Sequence, residues 1–169
     1  MKIGLLGPVN IDIFCKVLKF KRLDYLNQIN ELAGKIAKGK HSIVIVPHKG
    51  SIQSIFTQYY KRCKGRKVIG IIPKDDTEWG IDHLDQEICD EIVDAGTWRN
   101  SPEKLDEESD ILICLGFGPG SLVEIGQTKW FKVDKIYIIR EFITQKLPDE
   151  INRQLPIEYI SFEDLKKII

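Results

Sequence analysis

Six short runs, rich in Ile and Val and apolar but for Glu158 in the last, constrain this chain more than any other feature. They occupy residues 3–6, 43–46, 68–72, 111–115, 136–139 and 157–160. None alternates apolar with polar positions, as a strand with one face in water would. Uninterrupted runs of this length suit parallel strands covered by helices on both faces. Amphipathic stretches separate them. Leu23, Leu26, Ile29, Leu32, Ala33 and Ile36 recur at helical spacing, so residues 21–38 read as a helix that Gly39 stops. Ser51 is placed to cap a helix bearing Ile52, Ile55, Phe56 and Tyr59. Ser101-Pro102 opens another, with acidic residues in its first turns. Residues 121–131 and a terminal segment from Ser161 complete the set. This alternation predicts an α/β fold: a doubly wound, mainly parallel sheet flanked by helices, with right-handed crossovers. The length of 169 residues suits a single domain with a full-sized core.

Charge narrows the partners. Lys and Arg number 25 and Asp and Glu number 25, which argues against nucleic acid and against an anionic membrane surface. The basic run at residues 61–67 lies between a helical pattern and a strand and reads as a solvated turn. No stretch is long and apolar enough to span a membrane. Cys15, Cys63, Cys89 and Cys114 form no CxxC pair, and His41, His48 and His83 lack ligand spacing. Reduced thiols in a cytoplasmic protein are expected, with no metal and no resident cofactor. Residues 1–7 read as a strand running into Gly7 and not as a signal peptide.

Three loops follow the carboxyl ends of strands, the edge where doubly wound sheets bind ligands. After the first run come Gly7 and Pro8. After the second come Pro47, His48, Lys49, Gly50 and Ser51. After residues 111–115 comes Gly116-Phe117-Gly118-Pro119-Gly120-Ser121-Leu122-Val123-Glu124. A glycine turn opening a helix suits a phosphate, because bare backbone N–H groups approach the anion and the helix dipole favours it. The spacing is not Walker A. Glu124, one turn into the helix, suits sugar hydroxyls or acid/base work. The same turn is also compatible with a purely structural corner and a solvated glutamate. Lys49 with Ser51 fits either an anion site or a solvated lysine beside an ordinary cap. His48 reads first as an exposed or hydrogen-bonded loop residue. Arg99 offers a rigid fork for phosphate or carboxylate, or an ion pair with a nearby acid. Residues 73–100 are the least regular part. Trp79 and Trp98 within them fit base stacking or ordinary packing, and residues 88–93 fit a short strand.

The glycine turn carries a family resemblance. It is similar to the PGGxGTxxE motif of the SLOG superfamily, whose LOG-type members are often mislabelled lysine decarboxylases. Gly118, Gly120 and Glu124 match, Ser121 replaces Thr, and Gly116-Phe117 depart from the leading Pro-Gly. Residues 67–73 resemble the family's third strand with its closing proline, and Arg99-Asn100 resembles the Arg before the helix that leads to the motif strand. The second loop lacks the family's glycine cluster. The resemblance implies a Rossmann-like nucleotide-binding domain and a homodimer or higher homo-oligomer. Tyr59, Tyr60, Trp130 and Phe131 are candidates for the interface or for the core.

The resemblance further implies a nucleoside 5′-monophosphate phosphoribohydrolase that releases base and ribose 5-phosphate. Arg99 and Glu124 would be catalytic. Gly7, Pro8, Lys49, Gly50, Ser51, Gly116, Gly118, Pro119, Gly120 and Ser121 would bind the nucleotide phosphate. The alternative is a non-catalytic protein of the same fold that binds or carries a nucleotide or nucleotide-like cofactor, such as the molybdenum cofactor. A homo-oligomer with a decayed site is the third reading.

Overall fold

The computed structural model describes residues 1–169. The element order is β1 (Lys2–Leu6), α1 (Ile11–Leu18), α2 (Arg22–Lys38), β2 (Ser42–Ile45), α3 (Ile52–Arg62), β3 (Val68–Ile72), β4 (Glu91–Asp94), α4 (Ser101–Glu107), β5 (Ile111–Cys114), α5 (Pro119–Gln127), β6 (Lys135–Ile139), α6 (Asp149–Asn152), β7 (Ile157–Ile160) and α7 (Phe162–Ile168), with short 3₁₀ turns between some of them. The seven strands form one sheet in the order β4-β3-β2-β1-β5-β6-β7. Every pairing is parallel. Each of the six apolar runs supplies a strand, and β4 is the short strand expected within the irregular segment.

Burial explains why the inner runs do not alternate. Ile3, Leu5, Ile111 and Ile113 point into one apolar layer with α1, α2, α3 and α7. Leu6, Val44, Leu112 and Cys114 point into the other, with Leu105 of α4 and Ile125 of α5. A strand buried on both faces has no position for a polar side chain. The edges behave differently: Glu91, Ile92 and Asp94 of β4 are exposed, and charge on an edge strand discourages pairing with another chain. Tyr60 belongs to the core, and its hydroxyl donates to the His41 carbonyl at 2.5 Å. Trp130 is 76% exposed, while Tyr59 and Phe131 are half-buried.

Two helices escaped the sequence reading, α1 and the four-residue α6. Asn10 caps α1, its side chain accepting from the Ile13 N–H at 3.0 Å. Ile11, Phe14 and Cys15 of this helix are buried. Ile13 and Val17 are each 62% exposed and Val9 is 55% exposed, so apolar residues occur on all sides and blur the helical signature.

Gly116 turns the chain between β5 and α5. Its φ of +134° lies where only glycine is comfortable, and a Cβ there would overlap the Phe14 ring of α1. Gly116→Ala is expected to cost about 2 kcal/mol or more, from backbone strain and overpacking together. Urea unfolding of the variant checks this, and an unchanged midpoint contradicts it.

Candidate functional site

Strand order reverses direction at β1. From β1 the chain builds outward through β2, β3 and β4, then returns to β5 on the opposite side. Loops leaving β1 and β5 therefore diverge at their carboxyl ends and leave a crevice. A cavity of about 560 Å³ fills it, within the usual size for small-molecule sites. Gly7, Pro8 and Asn10 line it from the β1 loop, and His48 and Ser51 from the β2 loop. Trp98 and Ser101 contribute from the segment after β4, and Phe117 through Ser121 with Glu124 from α5. Val9, Ile13 and Val17 give it an apolar margin.

The start of α5 has the features of an anion-binding helix end. Gly118 is its N-cap in extended conformation, with no side-chain cap bond, and Pro119 takes the first helical position. Proline has no N–H to leave unpaired. The amides of Gly120 and Ser121, at the second and third positions, receive no acceptor from within the chain. Two free amides at a positive helix end are a ready receptor for an oxyanion. Gly120 has open space where a Cβ would stand. Gly7 differs: a Cβ there would overlap Ile52 of α3, so glycine lets β1 run close beneath that helix.

The β2 loop is held by its neighbours. Ser51 caps α3, accepting from Ser54 N–H at 3.3 Å. The Lys49 N–H donates to the His83 carbonyl at 3.0 Å, and Asp85 N–H to the Pro47 carbonyl at 2.8 Å. The Lys49 ammonium turns outward to the Asp82 carbonyl at 2.7 Å. Gln53 brackets two strand ends, donating to the Leu5 carbonyl at 2.7 Å and accepting from Val46 N–H at 2.9 Å.

The geometry brings together Gly7, Pro8, Ser51, Gly118, Pro119, Gly120, Ser121 and Glu124. Arg99, Lys49, Gly50 and Gly116 are not part of the lining. Arg99 is exposed on the 3₁₀ turn that precedes α4. Gly50, at φ +76°, bends the loop ahead of Ser51. Gly116 is buried against Phe14 and shapes the turn from beneath. His48 and Trp98 both reach the cavity. No group of three or more His, Cys, Asp or Glu side chains is gathered to hold a metal ion, and no helix is long and apolar enough to cross a membrane.

Glu124 is 7% exposed, and burial pushes its carboxyl up to about 7. Behind it lies Asp106, 1% exposed on α4, with neither carboxylate oxygen hydrogen-bonded. Burial, then the neighbouring Glu124 charge, push Asp106 up to about 8. Such a carboxyl is stable only when neutral. The sequence reading passed over Asp106. The available signal was its place four residues after Pro102 and beside Leu105, on the inward face of α4.

A seven-stranded parallel sheet that reverses between β1 and β5 beneath a cavity defines a Rossmann-type α/β protein. Solved structures share this architecture. The molybdenum cofactor binding protein from Rippkaea orientalis superposes with a TM-score of 0.70 at 18% identity, over 99% of this chain and 93% of that one. The molybdenum cofactor carrier protein from Chlamydomonas reinhardtii gives 0.67 at 16% identity, over 99% and 95%. The structural-genomics protein TM1055 gives 0.68 at 19% identity, over 99% and 96%. The likeness to these structures is one of fold, and the Rossmann-like α/β architecture expected from the glycine turn agrees with it. No protein-family model matches the chain, and no curated protein matches it.

The two buried carboxyls make stability depend on pH. Their ordinary values are 3.8 and 4.5. Between those values and about 7 to 8, the folded state keeps protons that the unfolded chain has released. Stability from this source is therefore fully present at low pH and is lost as pH rises, by up to about 1.4 kcal/mol per pH unit for each group. Asp106→Asn is expected to flatten the fall between pH 5 and 8 and to be the more stable protein at pH 8. Denaturant melts across that range test it, and a variant with the parental slope contradicts the assignment.

Proposed function

We propose that this protein binds and carries a phosphorylated, nucleotide-like small molecule in the cavity over the β1–β5 reversal. The carrying observation is the exposed amide pair of Gly120 and Ser121 at the start of α5, facing a largely apolar cavity. In this reading those amides take the phosphate, Gly7 and Pro8 let it approach the β1 loop, and Ser51 contributes its hydroxyl proton. The molybdenum cofactor, a pterin carrying a phosphate, is the favoured cargo. Support comes from the architecture shared with proteins that bind or carry it. The position of Arg99 outside the lining also favours carriage over turnover, because the two residues assigned to glycosidic cleavage do not face one cavity.

The test is incubation of the protein with the extracted cofactor, gel filtration, and measurement of co-eluting pterin and molybdenum. Co-elution in equal amounts is expected. Gly120→Val, which the open space at that position allows to fold, is expected to lower retention at least tenfold by crowding the approach to the amides. Retention equal to the parent's removes the turn from the site.

A second reading is hydrolysis of a nucleoside 5′-monophosphate to base and ribose 5-phosphate. Glu124 favours it: a cavity-lining carboxyl held near 7 is suited to give or take a proton at neutral pH. Chromatography for free base, after incubation with a panel of nucleoside monophosphates, separates the readings. Carriage predicts thermal stabilisation without release. Hydrolysis predicts release that Glu124→Gln abolishes while the phosphate still binds. Under either reading we place the protein in the cytoplasm, on its unpaired cysteines, and as a homo-oligomer, on the strength of the SLOG resemblance.

A further inference from the structure

The long segment between β3 and α4 builds one rigid feature. Asp76 gathers the backbone N–H groups of Glu78 at 3.1 Å, Trp79 at 2.8 Å and Trp98 at 3.1 Å. Asp94 accepts from Lys74 at 3.2 Å and Gly96 at 2.8 Å. These carboxylates fold residues 74–98 back on themselves and fix the Trp98 backbone. Its indole N–H donates to the Gly80 carbonyl at 3.1 Å, which sets the ring's rotation. Two imidazoles then stack with it. The centroid distances are 5.1 Å from Trp98 to His48, 5.3 Å from Trp98 to His83 and 5.1 Å between the histidines. The three planes lie within 20° to 28° of one another.

Only part of this stack faces the cavity. Trp98 and His48 line it, and His83 does not. A wall of two stacked, nearly parallel aromatic rings, backed by a third and held by hydrogen bonds, presents little conformational freedom to lose on binding. Burial, then the neighbouring His83, hold His48 down at about 4, so its ring is neutral at physiological pH. An uncharged aromatic wall inside the cavity that also contains the α5 amides matches a ligand with a planar head and a phosphate tail.

We infer that Trp98, with His48 beside it, is the stacking subsite for the uncharged bicyclic heteroaromatic ring of the ligand, a purine or a pterin. The inference rests on the ligand-binding reading above and adds which end of the ligand meets which wall. Stacking of a base on an aromatic side chain is tolerant of ring identity and is worth about fivefold to a hundredfold in affinity. Trp79, 72% exposed and absent from the lining, has no part in it.

Calorimetric titration with GMP, AMP and ribose 5-phosphate tests the assignment. The first two carry a ring, GMP with the amino-oxo edge that a pterin shares, and the third has only the sugar and phosphate. Trp98→Leu is expected to weaken the better-bound nucleotide about tenfold and to change ribose 5-phosphate affinity less than twofold. Trp98→Phe, which keeps an aromatic face and loses the bond to Gly80, is expected to stay within about threefold of the parent. Trp79→Leu is expected to change nothing. Three results overturn the inference while sparing the phosphate site: nucleotides that bind no better than ribose 5-phosphate, a Trp98→Leu protein with parental nucleotide affinity, or a Phe variant as weak as the Leu variant. Equal loss of all three ligands in Trp98→Leu also overturns it, since the residue then supports the loop and not the ring. A parental protein that binds none of the three overturns this inference, while the carriage reading beneath it stands or falls separately on cofactor co-elution.

Discussion

The pairing of β1 with β5 is the constraint on which the site depends. Ile3, Gly4, Leu5 and Leu6 run beside Ile111, Leu112, Ile113 and Cys114, and Leu115 N–H closes the ladder on the Leu6 carbonyl at 2.8 Å. Beyond that bond the chains part. Right-handed crossovers send the β1 loop toward α1 on one face and the β5 loop toward α5 on the other. Two loops leaving adjacent strands in opposite directions cannot fill the space between them. The crevice follows from topology, before any side chain is considered. The Tyr25 hydroxyl of α2 satisfies the Leu115 carbonyl at 2.6 Å, at a point where the backbone has already left the sheet.

What fills the crevice's walls is unusual in its charge balance. The chain is rich in charge, yet its ion pairs lie outside: Lys61–Asp90, Lys104–Glu107 and Lys135–Glu158 are all well exposed, and such pairs add little to stability. Among the residues lining the cavity, the ionisable side chains are Glu124 and His48. Burial drives both toward their neutral forms, and Asp106 behind Glu124 is driven the same way. A largely apolar chamber strengthens whatever field the α5 amides exert on a phosphate.

The fold was legible because its inner strands are buried on both faces. That environment forces continuous Ile and Val, which no other local structure of that length favours as strongly. Helices α2, α3, α4 and α7 were legible for a related reason, since each has one apolar stripe and a cap or stop signal at an end. Helix α1 was not. Its outward positions carry Ile13 and Val17, so periodicity could not distinguish face from back, and only Asn10 marked its start. At the site, the glycine turn could be read because the chemistry of an anion-binding helix start is local. Arg99 and Lys49 could not be placed in the same way. Each sits on a loop whose direction is set by distant contacts, and Lys49 is turned out by a carbonyl thirty-three residues away in sequence.

The sequence by itself determined the strands, most of the helices and the phosphate-friendly start of α5. Those depend on apolar spacing and on backbone freedom within a few residues. The tertiary structure decided which loops share a cavity, and it kept Arg99 out while bringing Trp98 and His48 in. It also decided that Asp106 and Glu124 are buried carboxyls, pushed up to about 8 and about 7, in place of solvated carboxylates. These outcomes depend on strand order, on hydrogen bonds such as those of Asp76 and Asp94, and on burial between α4 and α5, none of which leaves a local pattern in the chain.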